Sequence, residues 1–197
     1  MRVSLPYIAP YAVWMVLMAV LPPTALSYAI RAALTAGALC FFFFRHLKLA
    51  FPTFKEVAWG LAAGVIVLLL WVLPENSEFY KQWFIVGSIS NSSASSSYDP
   101  AVCSWPLTLA RLAGSAFVIT VAEELFFRKW LMGFAGFWWT VALFAIEHDR
   151  YLAGALAGII YGVVSLKISL KAAIIAHIIT NFALGLIVIK YGLWQFW

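Results

Sequence analysis

Residues 106–131 read PLTLARLAGSAFVITVAEELFFRKWL, and this stretch decides the fold. It stays apolar for longer than the roughly 20 residues a helix needs to cross a bilayer. Its charges are Arg111 within the run and Glu123, Glu124, Arg128 and Lys129 near the end. The apolarity is continuous, whereas a membrane β-barrel strand alternates residue by residue. The rest of the chain has the same character. Of 197 residues, 64% are hydrophobic and 11% charged, and the mean hydropathy is +0.94. A soluble domain is about half apolar and about a quarter charged, so this chain has too few charges to coat a water-facing surface. The same arithmetic excludes a disordered chain, a collagen and a small disulfide scaffold. The expected fold is an all-α, polytopic transmembrane helix bundle.

Outward from that run, about seven apolar segments are expected, at 7–21, 26–44, 57–73, 106–131, 137–148, 151–166 and 170–189. Pro22-Pro23 break the first pair into a tight hairpin. A basic link of Arg45, Lys48 and Lys55 separates the second and third segments, and 75–104 forms the one long loop, with the polar run NSSASSS at 91–97 and Pro100. This organisation divides the chain into N-terminal membrane helices with an extracytoplasmic loop, 1–104, and a membrane core, 105–197. The two cysteines, Cys40 and Cys103, form no CxxC or zinc-ligand pattern and read as packing residues. Pro6, Pro10 and the segments that follow argue against a cleaved signal peptide.

The net charge of +5 is not a nucleic-acid footprint, because the basic residues stand at the ends of apolar runs. With a cytoplasmic N-terminus, Arg2, Arg45, Lys48, Lys55, Arg128, Lys129, Lys167 and Lys171 face inward. Arg31, Lys81, Arg150 and Lys190 then lie toward the outside, and the asymmetry favours this orientation. The segment ending at His148 is too short to cross cleanly and is expected to end at mid-depth, which puts His148 in the bilayer region.

Ionisable groups within membrane helices are costly unless paired or lining a cavity, so they are candidates for function. The first group is EELFFR, Glu123 to Arg128. Glu124 and Arg128, four apart, share a helix face, while Glu123 points about 100° away. A headgroup cap with Arg128 and Lys129 snorkelling explains the cations but not two adjacent glutamates. The second is FAIEHDR, 144–150, where Phe144 and His148 share a face and Asp149 is placed to cap the next helix. A polar surface turn serves equally well for Glu147, Asp149 and Arg150. The third is HIITN, 177–181, where His177 and Asn181 form one polar stripe that could also be interhelical glue. Together the three supply a carboxylate, two imidazoles and an amide, the parts needed to activate water and stabilise an oxyanion. The small residues of AGALAGIIYG, 153–162, would let the helices bearing these groups pack closely.

These motifs resemble those of the CPBP family, which comprises the CAAX proteases and bacteriocin-processing enzymes. The family pattern is EExxxR, then FxxxH, then HxxxN or HxxxD, each on a membrane helix. It is matched in order by Glu123 to Arg128, Phe144 to His148 and His177 to Asn181, and the likeness covers roughly residues 105–190. EHDRYLAGALAGIIYG and the ending WQFW also resemble a bacterial subgroup of CAAX prenyl protease-related proteins associated with exosortase-type sorting systems. The resemblance implies a glutamate-dependent intramembrane endopeptidase, metal-independent and without a cofactor, in the inner membrane of a bacterium. By position, Glu123 would activate water with His148, His177 and Asn181 would stabilise the oxyanion, and Glu124 and Arg128 would hold the site's geometry and charge. The acidic EHDR run departs from the family's more apolar surroundings of the histidine. The expected partners are a membrane-associated peptide or protein substrate and the lipid bilayer, with no nucleic acid.

Rival chemistries leave their own signs. A zinc site-2 type needs HExxH, which is absent from the sequence. An aspartyl type needs two membrane aspartates, but Asp99 lies in the loop and Asp149 at a turn. A serine type would have to use Ser115, which has no motif around it. A zinc site built from the same glutamate and histidines is an open alternative. So is a non-catalytic membrane partner whose polar stripes line a peptide-binding cavity. A transporter would show an inverted repeat or paired broken helices, and neither is visible.

Overall fold

The computed structural model describes residues 4–46, 51–85 and 96–197. Arg2, Lys48 and residues 91–95 of the polar run lie outside the described residues. Helices account for nearly all regular structure, because continuous apolar sequence can satisfy its backbone in a bilayer only within the segment itself. Among the described residues the one strand-like feature is an isolated antiparallel bridge between Ile85 and Arg150.

Helix boundaries follow local chemistry. α1, Leu5–Val20, has a proline in its first turn and a second, Pro10, inside it. It ends just before Pro22-Pro23, which cannot continue a helix. α2, Ala25–His46, starts where the Thr24 hydroxyl accepts the Ser27 N–H at 3.2 Å. α3, Phe54–Val72, opens on a capping box: Thr53 accepts from the Glu56 N–H at 3.3 Å, and Glu56 accepts from the Thr53 N–H at 2.7 Å. A short helix, α4, Glu78–Phe84, is capped by Ser77. α5, Trp105–Ala135, is the longest helix and carries two π-helical stretches, Gly114–Ile119 and Leu125–Leu131. α6, Phe137–Ile146, α7, Tyr151–Lys167, and α8, Leu170–Tyr191, complete the chain's main helices.

Four of these are long and apolar enough to cross a membrane, at Ala25–Phe42, Phe54–Asn76, Trp105–Ala135 and Leu170–Tyr191; α1, α6 and α7 are shorter apolar helices. The protein is a polytopic helical membrane protein. Its exterior agrees: Trp138 and Trp139 are 71% and 69% exposed, a surface suited to lipid rather than water.

The chain falls into two compact units: Met1–Phe51 with Ile89–Phe126 and Asn181–Trp197, and Pro52–Ser88 with Phe127–Thr180. In the first, Tyr28 is buried with its ring edge-on to Trp14 at 5.2 Å and to Tyr98 at 5.9 Å. Gly114 makes this possible, since a Cβ there would stand 2.7 Å from the Tyr28 ring. Arg31 is buried, with its guanidinium near Trp14 and Tyr28 and its Nε donating to the Ser27 carbonyl at 3.3 Å.

In the second unit, glycines of α3 and α7 set the helix spacing. A Cβ at Gly64 would meet the Ala176 carbonyl oxygen at 2.6 Å, and one at Gly60 would meet Ile175 at 2.6 Å. Ala153, Gly154, Ala157 and Gly158 of α7 are all buried, with Gly154 close to Ala145 and Gly158 close to Phe144, as their small size suggested. Ion pairs join Arg150 to Glu75, and Lys171 to Glu56 at 3.0 Å.

Two expectations need correction. Asp149 does not cap α7: the N-cap position is Arg150, which lacks a side-chain cap bond and pairs with Glu75 instead. Cys40 is exposed on α2 rather than packed, because its place on the helix turns it outward; Cys103 is half-buried, 3.6 Å from the Thr108 hydroxyl, and both are free thiols.

Candidate functional site

Glu123 and Glu124 lie in the first unit, at the end of a short α-helical stretch, Thr120–Glu124, between the two π-helical stretches of α5. Glu124 is fully buried and Glu123 half-buried. A π turn widens the helix and shifts its hydrogen bonds to residues five apart, leaving backbone carbonyls for other donors. Here the Ser115 carbonyl accepts the Thr120 hydroxyl at 2.9 Å and the Asn181 side-chain amide at 3.1 Å. The same Asn181 nitrogen reaches the Thr120 hydroxyl oxygen at 3.0 Å. Asn181 therefore pins α8 onto the π turn that leads into Glu123, and both of its amide hydrogens have acceptors.

A half-buried cation lies in the same unit. The Arg111 guanidinium sits 4.2 Å from the centre of the Tyr28 ring, 4.9 Å from Tyr98 and 5.7 Å from Trp197. Faces of aromatic rings attract a cation, which makes a charge within a membrane span tolerable.

Arg128, His148 and His177 belong to the second unit. Arg128 is 4% exposed, and its guanidinium lies 4.1 Å from the Phe144 ring centre. His148 follows the end of α6, where its Nδ1 is 2.7 Å from the Phe144 carbonyl oxygen. A carbonyl only accepts, so this bond sets the tautomer: Nδ1 carries the hydrogen and Nε2 keeps its lone pair. The Trp71 ring, 5.3 Å away, and the Phe144 ring, 4.7 Å away, hold the imidazole from two sides.

His177 is buried at 3% exposure, stacked on Tyr161 at 4.7 Å and edge-on to Phe144 at 5.9 Å. Tyr161 is itself fixed. Its hydroxyl donates to Thr180 Oγ1 at 2.7 Å, and the Thr180 hydroxyl lies 2.9 Å from the Gly64 carbonyl oxygen and 3.0 Å from that of Ala176. Phe144 thus adjoins the Arg128 cation and both imidazoles of this unit.

Of the predicted residues, Glu123, Glu124 and Asn181 fall in the first unit and Arg128, His148 and His177 in the second. Glu147 and Asp149 are exposed, and Arg150 has a structural partner in Glu75. Sequence reasoning missed Thr120, Tyr161 and Thr180. Thr180 stands beside Asn181 inside the HIITN motif, and a hydroxyl on an apolar helix was the available signal. Among the described residues no three of His, Cys, Asp or Glu gather to hold a metal ion.

Residues 105–183 match the family model described as type II CAAX prenyl endopeptidase Rce1-like. The similarity covers less than half of the chain, and it spans all six candidate residues from Glu123 to Asn181. No match was found among curated proteins or among solved structures.

Proposed function

We propose that the protein is an intramembrane endopeptidase that hydrolyses peptide bonds of membrane-associated proteins or peptides, with Glu123 and His148 activating water. Residues 1–104 would then be N-terminal helices and an extracytoplasmic loop, and 105–197 the catalytic core. The observation that carries the chemistry is the His148 bond to the Phe144 carbonyl, which leaves Nε2 as the basic nitrogen. A proton moves from water to Glu123, the hydroxide adds to the scissile carbonyl, and the proton passes on to the leaving amine. His177 donates to the developing oxyanion. Asn181 joins it by giving up the Thr120 hydroxyl when substrate binds, since its amide is otherwise engaged. Glu124 and Arg128 hold the charge and geometry around these groups.

The expected substrate is a membrane-associated peptide or the hydrophobic C-terminal region of a protein, met in the inner membrane of a bacterium. The likeness to the exosortase-associated subgroup supports a role in processing sorted proteins. The test compares membrane-protein fragments from cells carrying the wild-type protein and a Glu123→Ala variant. Fragments present only with the wild type support proteolysis. Identical profiles from equal amounts of folded protein favour a non-catalytic partner.

A further inference from the structure

His148 stands outside any helix, on the turn 147–149 between the end of α6 and the start of α7. Its N–H donates to the Ala145 carbonyl at 3.1 Å. Ile146, Glu147 and Asp149 are exposed, so its neighbours along the chain do not seat the turn. A side chain on such a turn keeps one orientation only when contacts from elsewhere fix both the backbone beside it and the ring. In the second unit those contacts come from residues 71–85, which lie outside the matched stretch 105–183. Trp71, near the end of α3, stands edge-on to the imidazole, with ring centres 5.3 Å apart and planes at 77°. Glu75 follows in the short 3₁₀ helix Leu73–Asn76, and its carboxylate pairs with the Arg150 guanidinium. Trp71 and Glu75 are four residues apart, a spacing that lets one side of α3 serve both contacts. Arg150 is 8% exposed and is held a second time through the antiparallel backbone bridge to Ile85. α7 also comes close, since a Cβ on Gly154 would stand 3.3 Å from the His148 Cβ.

The turn is therefore anchored two residues beyond His148, while Trp71 and Phe144 brace the ring itself. This matters for chemistry because a neutral imidazole has two tautomers. The Phe144 carbonyl, 2.7 Å from Nδ1, selects one of them, and it does so only while the turn presents the ring to it. We infer that Trp71 and the Glu75–Arg150 pair are positioning residues for His148: they hold its turn so that Nδ1 stays on the Phe144 carbonyl and Nε2 remains the basic nitrogen. The use of that nitrogen rests on the proteolytic reading, whereas the hold on the ring rests on the geometry alone.

The test uses the full chain in lipid bilayers, with isotopically labelled histidine and solid-state NMR at a pH where the ring is neutral. The spectrum separates protonated from unprotonated ring nitrogens, and the His148 signal is assigned by its loss in His148→Gln. The wild type should show one His148 tautomer, protonated at Nδ1. Glu75→Gln keeps the size and removes the charge, and it should bring in the second tautomer. Cleavage of a membrane peptide by this variant in proteoliposomes should lose up to about 100-fold in kcat with little change in KM. Arg150→Met should behave in the same way, and Arg150→Lys, which keeps a cation for Glu75, should recover most of the loss. Trp71→Leu should also mix the tautomers, while Trp71→Phe, which keeps an aromatic edge, should stay near the wild type. Lys171→Met breaks the other ion pair of α3, with Glu56 at the opposite end of the helix, and should leave the His148 signal unchanged. Circular dichroism and the melting temperature of each variant establish folding. The inference is overturned if folded Glu75→Gln and Trp71→Leu keep the wild-type signal. It is equally overturned if Lys171→Met mixes the tautomers as much, which would make the effect one of general stability. Mixed tautomers with unchanged cleavage would uphold the hold on His148 and remove His148 from the reaction, so the two readings fail separately.

Discussion

Tyr161 lies flat against His177, with ring centres 4.7 Å apart and planes inclined by 23°. The stack is held at both ends, because the Tyr161 hydroxyl is bonded to Thr180, three residues on from His177 on α8. A side chain locked by a stacked ring and a second hydrogen bond loses little freedom when a substrate arrives, and a donor aimed in advance is worth most in the transition state.

If His177 supplies an oxyanion donor, His177→Phe keeps a flat ring on Tyr161 but removes the N–H. Turnover should fall about 100- to 1,000-fold with little change in KM. Tyr161→Phe keeps the stack and loses one buried hydroxyl bond. It should cost about 1 kcal/mol of stability and leave most of the turnover. Steady-state cleavage of a membrane peptide in proteoliposomes, with a thermal melt of each variant, checks both.

The bonds from Asn181 to Ser115 and Thr120 should be visible as coupling. Asn181→Ala and Thr120→Val each remove part of one small network, and each should cost about 1–2 kcal/mol. The double variant should lose less than the sum, because the second change removes a partner already gone. Melting temperatures of the four proteins close the cycle. Strict additivity would mean that the two side chains act independently.

Glu123→Gln keeps size and hydrogen bonding but removes the base. Turnover should drop about 100- to 10,000-fold, while the helical circular dichroism signal and melting temperature stay close to wild type. Retention of full cleavage by this variant would remove Glu123 from the mechanism.

Activity should survive strong chelators if water is activated by Glu123 and His148 alone. Loss of cleavage on chelation, reversed by added zinc, would instead reassign the same side chains as metal ligands. Cleavage before and after dialysis against the chelator decides the matter.

Gly64 offers a test of the packing. A Cβ there would stand 2.6 Å from the Ala176 carbonyl oxygen and 2.8 Å from Ile179 Cβ, so α3 and α8 would have to part. Gly64→Ala should therefore destabilise by about 1–3 kcal/mol. Gly37→Ala, where nothing lies within 4 Å, should be neutral or up to about 1 kcal/mol stabilising. Thermal melts in detergent separate the two cases.

The membrane character, the positions of the apolar helices and the three polar motifs were legible in the sequence alone. Each depends on residues close together along the chain: an apolar run makes a helix wherever it is placed, and spacings of three or four residues share a face. The capping box of Thr53 and Glu56 is of the same local kind. Only the tertiary structure decided what those polar residues touch. Asn181 meets Ser115 across 66 positions, and it does so because a π turn frees a carbonyl that a regular helix would have consumed. The His148 tautomer depends on the carbonyl available where α6 ends, the immobility of His177 on Tyr161 and Thr180, and the loss of Asp149 as a cap on the pairing of Arg150 with Glu75. Hydropathy and helical period describe a segment by itself. Partners brought together from distant parts of the chain are set by packing, and no local pattern records them.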